Sequence, residues 1–326
     1  MKIAIVTDES RAGFIPYEES KKEDQQKLFT VASVMEILSK EYECISMVMD
    51  SNIINNLKSE KVDMVFNLCN GINGFSRLAQ LPAMLESANI PYTGSAVLAH
   101  ALAINKMYSC TIFKSNNIPT ADFLAVYNMD DLENVGIDYP ILVKPNDEGS
   151  SRGIHQDSLV FNKKDLYKKV EQELKIYNPP IILNEFIKGR EFSIGILGNG
   201  DDTVILPIQE VDLSNLPDDL LKFYSFEIKS YYKSHTVYHI PAKLTVEEKM
   251  SIESVALKSY NSLMLKDYAR VDIILKDGIP YVLEINSLPG LMRGTSALYR
   301  MAEEMDLGYE GLILKIVDTA RKRYNI

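Results

Sequence analysis

Two stretches of the chain carry residue types at spacings that suit phosphate chemistry. The first is "LVKPNDEGSSRG", residues 142–153. An apolar strand ends in Lys144, and Gly149, Ser150, Ser151 and Gly153 then offer N–H groups and hydroxyls free of large side chains, as in an anion-binding turn. It is not a Walker-type loop, in which the lysine follows the glycines, because here Lys144 precedes them. The second stretch is "YARVDIILKDGIPYVLEINSLPG", residues 268–290. Glu284 and Asn286 are two apart and so share one face of a strand, where Asp272 on a neighbouring strand can join them. Two carboxylates and an amide oxygen are hard ligands for Mg²⁺, which proteins hold with one or two carboxylates plus substrate phosphates. Each stretch has a plain alternative, a hairpin connection for the first and a solvated hairpin face for the second. Together they point to one chemistry.

The elements that must position these groups follow from the hydrophobic pattern. "KIAIV" (2–6) and "VDMVF" (62–66) are short apolar runs of the buried parallel kind, and "DQQKLFTVASVMEILSKE" between them is apolar at helical spacing, giving a β-α-β beginning. Pro and Gly punctuate 89–96, after which "LAHALAINKMYSCTIFKSNN" reads as one helix ending before Pro119. Strands are predicted at "YPILVKP", "PIILNEFI", "EFSIGIL", "TVILPIQE", "YARVDIIL" and "PYVLEIN", and long helices at about 246–265 and 308–324. The first part is therefore α/β and the second α+β. Segment 222–240, dense in Tyr, Lys and His without a period, is predicted to be a long loop of the lid type.

Composition narrows the function. The 326 residues, 46% hydrophobic and 25% charged, suffice for two or three packed domains. A net charge of −10 excludes nucleic acid as the main partner and fits a small-molecule substrate. Cys44, Cys69 and Cys110 show no paired spacing and read as buried thiols in a reducing compartment. The N-terminus turns acidic too soon for a signal peptide, and no apolar run approaches the roughly 20 residues of a membrane span, so no membrane partner and a cytoplasmic location are expected.

Lys106 after "IPYTGSA", Lys144 with "GSSRG", "NEFIKGREFSIGILG", "RVD" and "LEINSLPG" occur in an order that resembles the ATP-grasp superfamily, in its D-alanine–D-alanine ligase-like branch. The likeness covers about residues 62–300. It implies an ATP-grasp fold: an N-terminal Rossmann-like domain (1–104), then central (105–190) and C-terminal (191–326) α+β subdomains that sandwich ATP. Lys106 and Lys144 would reach the ATP phosphates, and the loop holding Glu148, Gly149, Ser150 and Ser151 would close over them. Asn184, Glu185, Phe186 and Ile187 would contact adenine, and Glu191 the ribose. Lys229 would approach the γ-phosphate. Asp272, Glu284 and Asn286 would hold two Mg²⁺ ions, for which Mn²⁺ could substitute. Arg270 and the Gly290 N–H would stabilise the oxyanion of a tetrahedral intermediate. Gly290, Thr295 and Ser296 would bind the carboxylate of an amino-acid acceptor, with Arg293 as an added positive charge. Thr295 and Ser296 could equally cap a helix starting near 297. The physical reason for so many cations is that a carboxylate must be brought up to a highly anionic triphosphate.

The chain also departs from the pattern. Where the family carries "HGxxGEDG", this sequence reads "CNGINGFSRLAQLPAMLE" (69–86), with Asn70 for the histidine, no acidic pair, and Arg77 added. The segment supplying a glutamate for the first D-alanine's ammonium is replaced by "TDESRAGFIPYEES" (7–20). Asn70 and Arg77 suit a carboxylate or a neutral polar group, so the expected carboxyl donor is not D-alanine, although Asp8, Glu9, Glu18 or Glu19 could restore an anion. The expectation is an ATP-dependent carboxylate–amine ligase acting through an acyl phosphate on small-molecule substrates, with a homodimer implied by the resemblance. A D-alanine–D-alanine ligase with a rebuilt first pocket, a small-molecule kinase and a non-catalytic ATP-binding regulator stay open.

Overall fold

The computed structural model describes residues 1–326. Three β-sheets follow one another along the chain. The first begins with β1 (Lys2–Thr7), buried from Ile3 onward, as a strand covered on both faces must be. Helix α1 (Tyr17–Leu38), β2 (Glu43–Val48), α2 (Ile53–Ser59) and β3 (Met64–Asn67) complete a parallel sheet in the order β2-β1-β3. The β-α-β beginning thus holds an additional strand, β2, an edge strand only partly covered by its neighbours.

After α3 (Gln80–Ser87) come α4 (Val97–Ile104) and α5 (Lys106–Ser115), where the sequence predicts a single helix. Asn105 separates them: its backbone is extended (φ −89°, ψ 102°), and its side-chain oxygen accepts from the Tyr108 N–H to cap α5. The break makes Lys106 the first residue of α5. The second sheet is antiparallel, with β4 (Phe123–Val126), β5 (Ile141–Pro145), β6 (Leu159–Val160), helix α6 (Lys163–Ile176) and β7 (Ile181–Glu185) in the order β4-β7-β5-β6.

The third sheet contains β8 (Arg190–Leu197), β9 (Val204–Ile205) and β10 (Gln209–Asp212), then, across α7 (Phe226–Tyr231), β11 (Val237–His239). Helix α8 (Val246–Ser262) leads into the hairpin of β12 (Tyr268–Lys276) and β13 (Ile279–Asn286), giving the order β11-β10-β8-β12-β13 with β9 on β8. The segment expected to be a lid loop therefore carries a helix of six residues and a strand of three, both too short to show a period. The chain ends in α9 (Ala297–Glu303) and α10 (Gly308–Tyr324). Along α10, Tyr309, Leu312, Ile313, Ile316, Val317 and Ala320 form one buried stripe. It packs in a common core with Ile3 and Ile5 of β1 and Val34 of α1. A second core joins Ala103 of α4 and Phe113 of α5 to β8, β12 and α8. Hydrophobic cores thus bridge segments on both sides of residues 104 and 190. No helix is long and apolar enough to cross a membrane.

Candidate active site

The residues after Lys144 fix the lysine that faces it. Asn146 accepts the Lys106 N–H at its backbone oxygen (3.0 Å) and the Met107 N–H at its side-chain oxygen (2.9 Å), clamping the start of α5 beside the end of β5. The Lys106 ammonium donates to the Glu148 carbonyl. Beyond it Ser150 and Ser151 both take left-handed backbone angles (φ 59° and 60°), which non-glycine residues seldom do. Gly153 is also left-handed, and a Cβ there would lie 2.3 Å from Pro145 Cγ, so only glycine fits. This loop is fastened to the Tyr-rich segment: Ser151 Oγ donates to the Tyr224 carbonyl (3.1 Å), and the Phe226 N–H to the Ile154 carbonyl (2.8 Å). The two segments meet over a cavity of about 260 Å³.

Asn184, Glu185, Phe186 and Ile187 line that cavity, Phe186 meets Phe223 edge-on, and the buried Asn184 Oδ1 has no hydrogen-bond partner. Lys144 and Lys229 also line it, neither with a carboxylate within 4.0 Å. Burial, with Arg270 nearby, brings the Lys229 ammonium down to about 8, and burial beside Lys106 lowers Lys144 as well. Burial, together with the Asp272 and Glu284 charges, pushes the Glu191 carboxyl up to about 8, so it is protonated at neutral pH.

Asp272 and Glu284 come together because β12 and β13 pair antiparallel with these two residues opposite each other. Arg270 forks onto Asp272 (2.8 and 2.6 Å), and Ser193 Oγ donates to it at 2.7 Å. Asn286 Nδ2 donates to Asp272 (3.1 Å) and to Glu284 (3.3 Å). Burial raises the Glu284 carboxyl, but Lys106, Lys144 and Arg270 outweigh it and hold the group below the usual carboxylate range. The three predicted ligands thus converge, and their oxygen chemistry fits Mg²⁺. The Asn286 amide would have to turn its oxygen toward the cation.

A smaller compartment, about 80 Å³, meets the main cavity at Ser150, Arg270, Glu284 and Gly290. Asn70 and Arg77 line it. Arg77, however, is fully committed at its outer nitrogens, to the Asp147 carbonyl and to Glu148 (3.4 Å), and only its Nε lacks a partner. Glu148 is placed differently from the expectation that it faces phosphate. Its carboxylate is enclosed by Arg11 (2.6 Å), Arg152 (2.9 Å) and Arg77. Burial raises that carboxyl, and the three guanidiniums overcome the effect and hold it well below the carboxylate range. The Asn70 side-chain amide makes no hydrogen bond within the chain, while its N–H donates to Asp8 (2.7 Å). The four acids considered as replacements do not line the compartment. Asp8 pairs with Lys27 (2.8 Å), Glu19 lies against His155 (3.5 Å), and Glu9 and Glu18 are exposed. A further acid, Glu23 of α1, does not line it either but pairs with Arg152 (3.0 Å), which does.

Gly290, Thr295 and Ser296 line the main cavity, and Ser296 Oγ also caps α9 by accepting from the Tyr299 N–H. Arg293 does not line it. Its side chain is half exposed and pairs with Glu36 at 3.2 Å.

The family model described as D-ala D-ala ligase C-terminus matches residues 112–318. The chain belongs to the D-alanine–D-alanine ligase family. It is 34% identical over 282 residues to a D-alanine–D-alanine ligase of Acetivibrio thermocellus, covering 83% of this chain and 71% of the relative. To D-alanine–D-alanine ligase B of Clostridium perfringens it is 31% identical over 303 residues, covering 91% and 94%. In fold it matches the D-alanine–D-alanine ligase of Bacillus anthracis complexed with ATP, at a TM-score of 0.75 and 23% identity, over 100% of this chain and 99% of that one. This member of the family is an ATP-grasp ligase that forms C–N bonds.

Several site residues of this ligase escape sequence reasoning. Gln26 and Thr30, one helical turn apart on α1, form part of the cavity wall, as do Gln209, Tyr224 and Arg300. Their only sequence signal is polarity, which solvated faces share.

Proposed function

We propose that this enzyme joins a small carboxylic acid other than D-alanine to an amine acceptor, using ATP and passing through an acyl phosphate. The observation that carries the reading is the meeting, in one cavity, of two lysines without counter-ions, Lys144 and Lys229, with Asp272, Glu284 and Arg270, while Asn286 reaches both carboxylates from the adjoining compartment. The two unpaired lysines call for an anion that the chain does not bring to them, and a triphosphate supplies it. Lys106, Lys144, Lys229 and the Ser150–Ser151 turn bind the phosphates. The adenine lies among Asn184, Glu185, Phe186 and Ile187, where the orphan Asn184 Oδ1 accepts a hydrogen bond, and protonated Glu191 donates to a ribose oxygen. Mg²⁺ held by Asp272, Glu284 and Asn286 would neutralise the phosphate oxygens.

A carboxylate oxygen of the donor forms a bond to the γ-phosphorus as the bond to the bridging oxygen breaks and ADP leaves. The amine's lone pair then attacks the acyl carbon, and the oxyanion so formed is held by Arg270 and the Gly290 N–H. Collapse expels phosphate and the amine nitrogen loses a proton. Meanwhile the clasp between Ser151 and Tyr224 excludes water from the acyl phosphate.

The donor is read from the smaller compartment. Its acids, Glu148 and Glu284, already face cations, whereas the Asn70 amide and Arg77 Nε have no partner within the chain. Such a pocket suits a donor whose substituent accepts hydrogen bonds and disfavours an ammonium. Thr295 and Ser296 receive the acceptor. The test is ADP release with ATP, Mg²⁺ and a panel of hydroxy, keto and dicarboxylic acids crossed with amino acids. Release should need both partners and yield an amide. Dipeptide formation from D-alanine alone would replace the donor assignment, and release indifferent to any amine would replace ligation by kinase chemistry. Light scattering checks the homodimer that the family resemblance implies.

A further inference from the structure

Helix α1 carries a row of side chains whose spacing puts them on one face: Glu19, Lys22 and Glu23, continued by Gln26 and Thr30 in the wall of the main cavity. The first part of the row faces the segments that cover the site. Glu19 lies against His155 (3.5 Å) and Glu23 against Arg152 (3.0 Å), both in the loop that follows Lys144. Lys22 reaches α7 instead. Its ammonium stands 4.0 Å from the centroid of the Tyr231 ring and 4.7 Å from that of Phe226, two rings set at 84° to each other. The nitrogen is buried, makes no hydrogen bond and has no carboxylate within 4.0 Å. An ammonium taken from water without an acid is costly, and the negative faces of the rings are what offset that cost here. Tyr231 is 61% exposed, so its ring fills no core and has Lys22 as its partner.

What Lys22 grips is the helix that brings Lys229 into the cavity, three residues after Phe226 and two before Tyr231. The loop and α7 are already joined to each other, by His155 on Glu227 (2.7 Å) and by Gln156 Nε2 donating to Ser225 Oγ (3.0 Å). The row on α1 fastens that joined pair to the first sheet.

We infer that Lys22 is a positioning residue: by gripping α7 through the Phe226 and Tyr231 rings it holds Lys229 at the nucleotide. This rests on the ligase reading above for what lies beside Lys229, whereas the grip itself needs no nucleotide. Two measurements read them separately. In hydrogen exchange of the unliganded protein, K22Q should speed exchange across residues 222–232 about threefold or more and leave the amides of α10 unchanged. K22R, which keeps a cation over the rings, should exchange as wild type does. Y231L should loosen the same residues, and K22Q/Y231L should be no faster than K22Q, because both changes remove one contact. The second measurement is stopped-flow release of a fluorescent, non-hydrolysable ATP analogue from the Mg²⁺-loaded protein. K22Q should release it about threefold or more faster than wild type at an unchanged association rate, with K22R restoring the slow release. A merely structural role would loosen α10 as well and would not be rescued by arginine. Wild-type exchange in K22Q, additive effects of K22Q and Y231L, or unchanged analogue release overturns the inference. Failure of the ligase reading shows differently, as no analogue binding by wild type while the exchange differences persist; that outcome leaves the grip and removes its part in the reaction.

Discussion

Asp272 and Glu284 face each other directly across the β12–β13 ladder, and the register slips immediately after them, so that Ile273 pairs with Val282. Like charges opposite one another oppose folding, and the strands tolerate them because Arg270, Lys106 and Asn286 stand against them. The pair therefore does not serve stability, as the proposed Mg²⁺ role requires. E284Q should keep the unliganded melting temperature within a few degrees of wild type while turnover falls at least about 100-fold and the Mg²⁺·ATP-induced rise in melting temperature disappears. A variant that responds to Mg²⁺·ATP as wild type does would remove Glu284 from the ligand set.

Glu148 has the opposite character. Enclosed by Arg11, Arg77 and Arg152, it neutralises a cluster of buried cations and anchors the loop above Lys106. Removing the partner of buried charges costs about 3–5 kcal/mol. E148A should lose stability on that scale in urea unfolding, and a midpoint equal to wild type would show that the three arginines are not dependent on it.

His155 gives a pH signature. Its ring lies between Glu19 and Glu227, and bonding to both raises its proton affinity to about 9. The folded value exceeds the unfolded one of about 6.5, so the folded protein binds the proton more tightly. The stabilisation is complete below about pH 6.5 and is lost as pH rises through about 9. The stability difference between wild type and H155Q should be largest at pH 6 and shrink by pH 10. A difference constant over that interval would contradict the ion pairs.

Lys229 is half neutral near pH 8, because burial beside Arg270 disfavours its charge. A triphosphate favours the charged form, so nucleotide binding at pH 8.5 should take up a proton. Calorimetry in buffers of different ionisation enthalpy reads that uptake, which K229M should reduce while leaving the contribution of Glu191 in place. Equal uptake by the two proteins would place Lys229 outside the phosphate site.

How far the sequence could be read follows from which interactions are local. The run at β1 and the stripe along α10 are legible because burial on both faces or along one stripe leaves a period of its own. Glu284 and Asn286 are legible for the same reason, since a strand's period of two fixes their common face. The helix break at Asn105 is not, because apolar residues continue at helical spacing on both sides and only the Asn105 cap interrupts them. Arg293 is the arginine nearest Pro289 and Gly290 along the chain, yet it turns to Glu36 on α1. Arg300, a turn into α9, reaches the cavity because that helix packs against β8. Glu23 likewise meets Arg152 through the seating of α1, which no spacing along the chain encodes.

The shared core of β1, α1 and α10 also bears on how the protein is made. Ile3 and Ile5 emerge from the ribosome well before Leu312 and Ile316, against which that core closes. The first sheet must therefore wait, with apolar surface uncovered, until the site-bearing sheets have been translated. A nascent chain stalled before Gly308 should yield its N-terminal segment to protease, and protection should appear only when α10 is released.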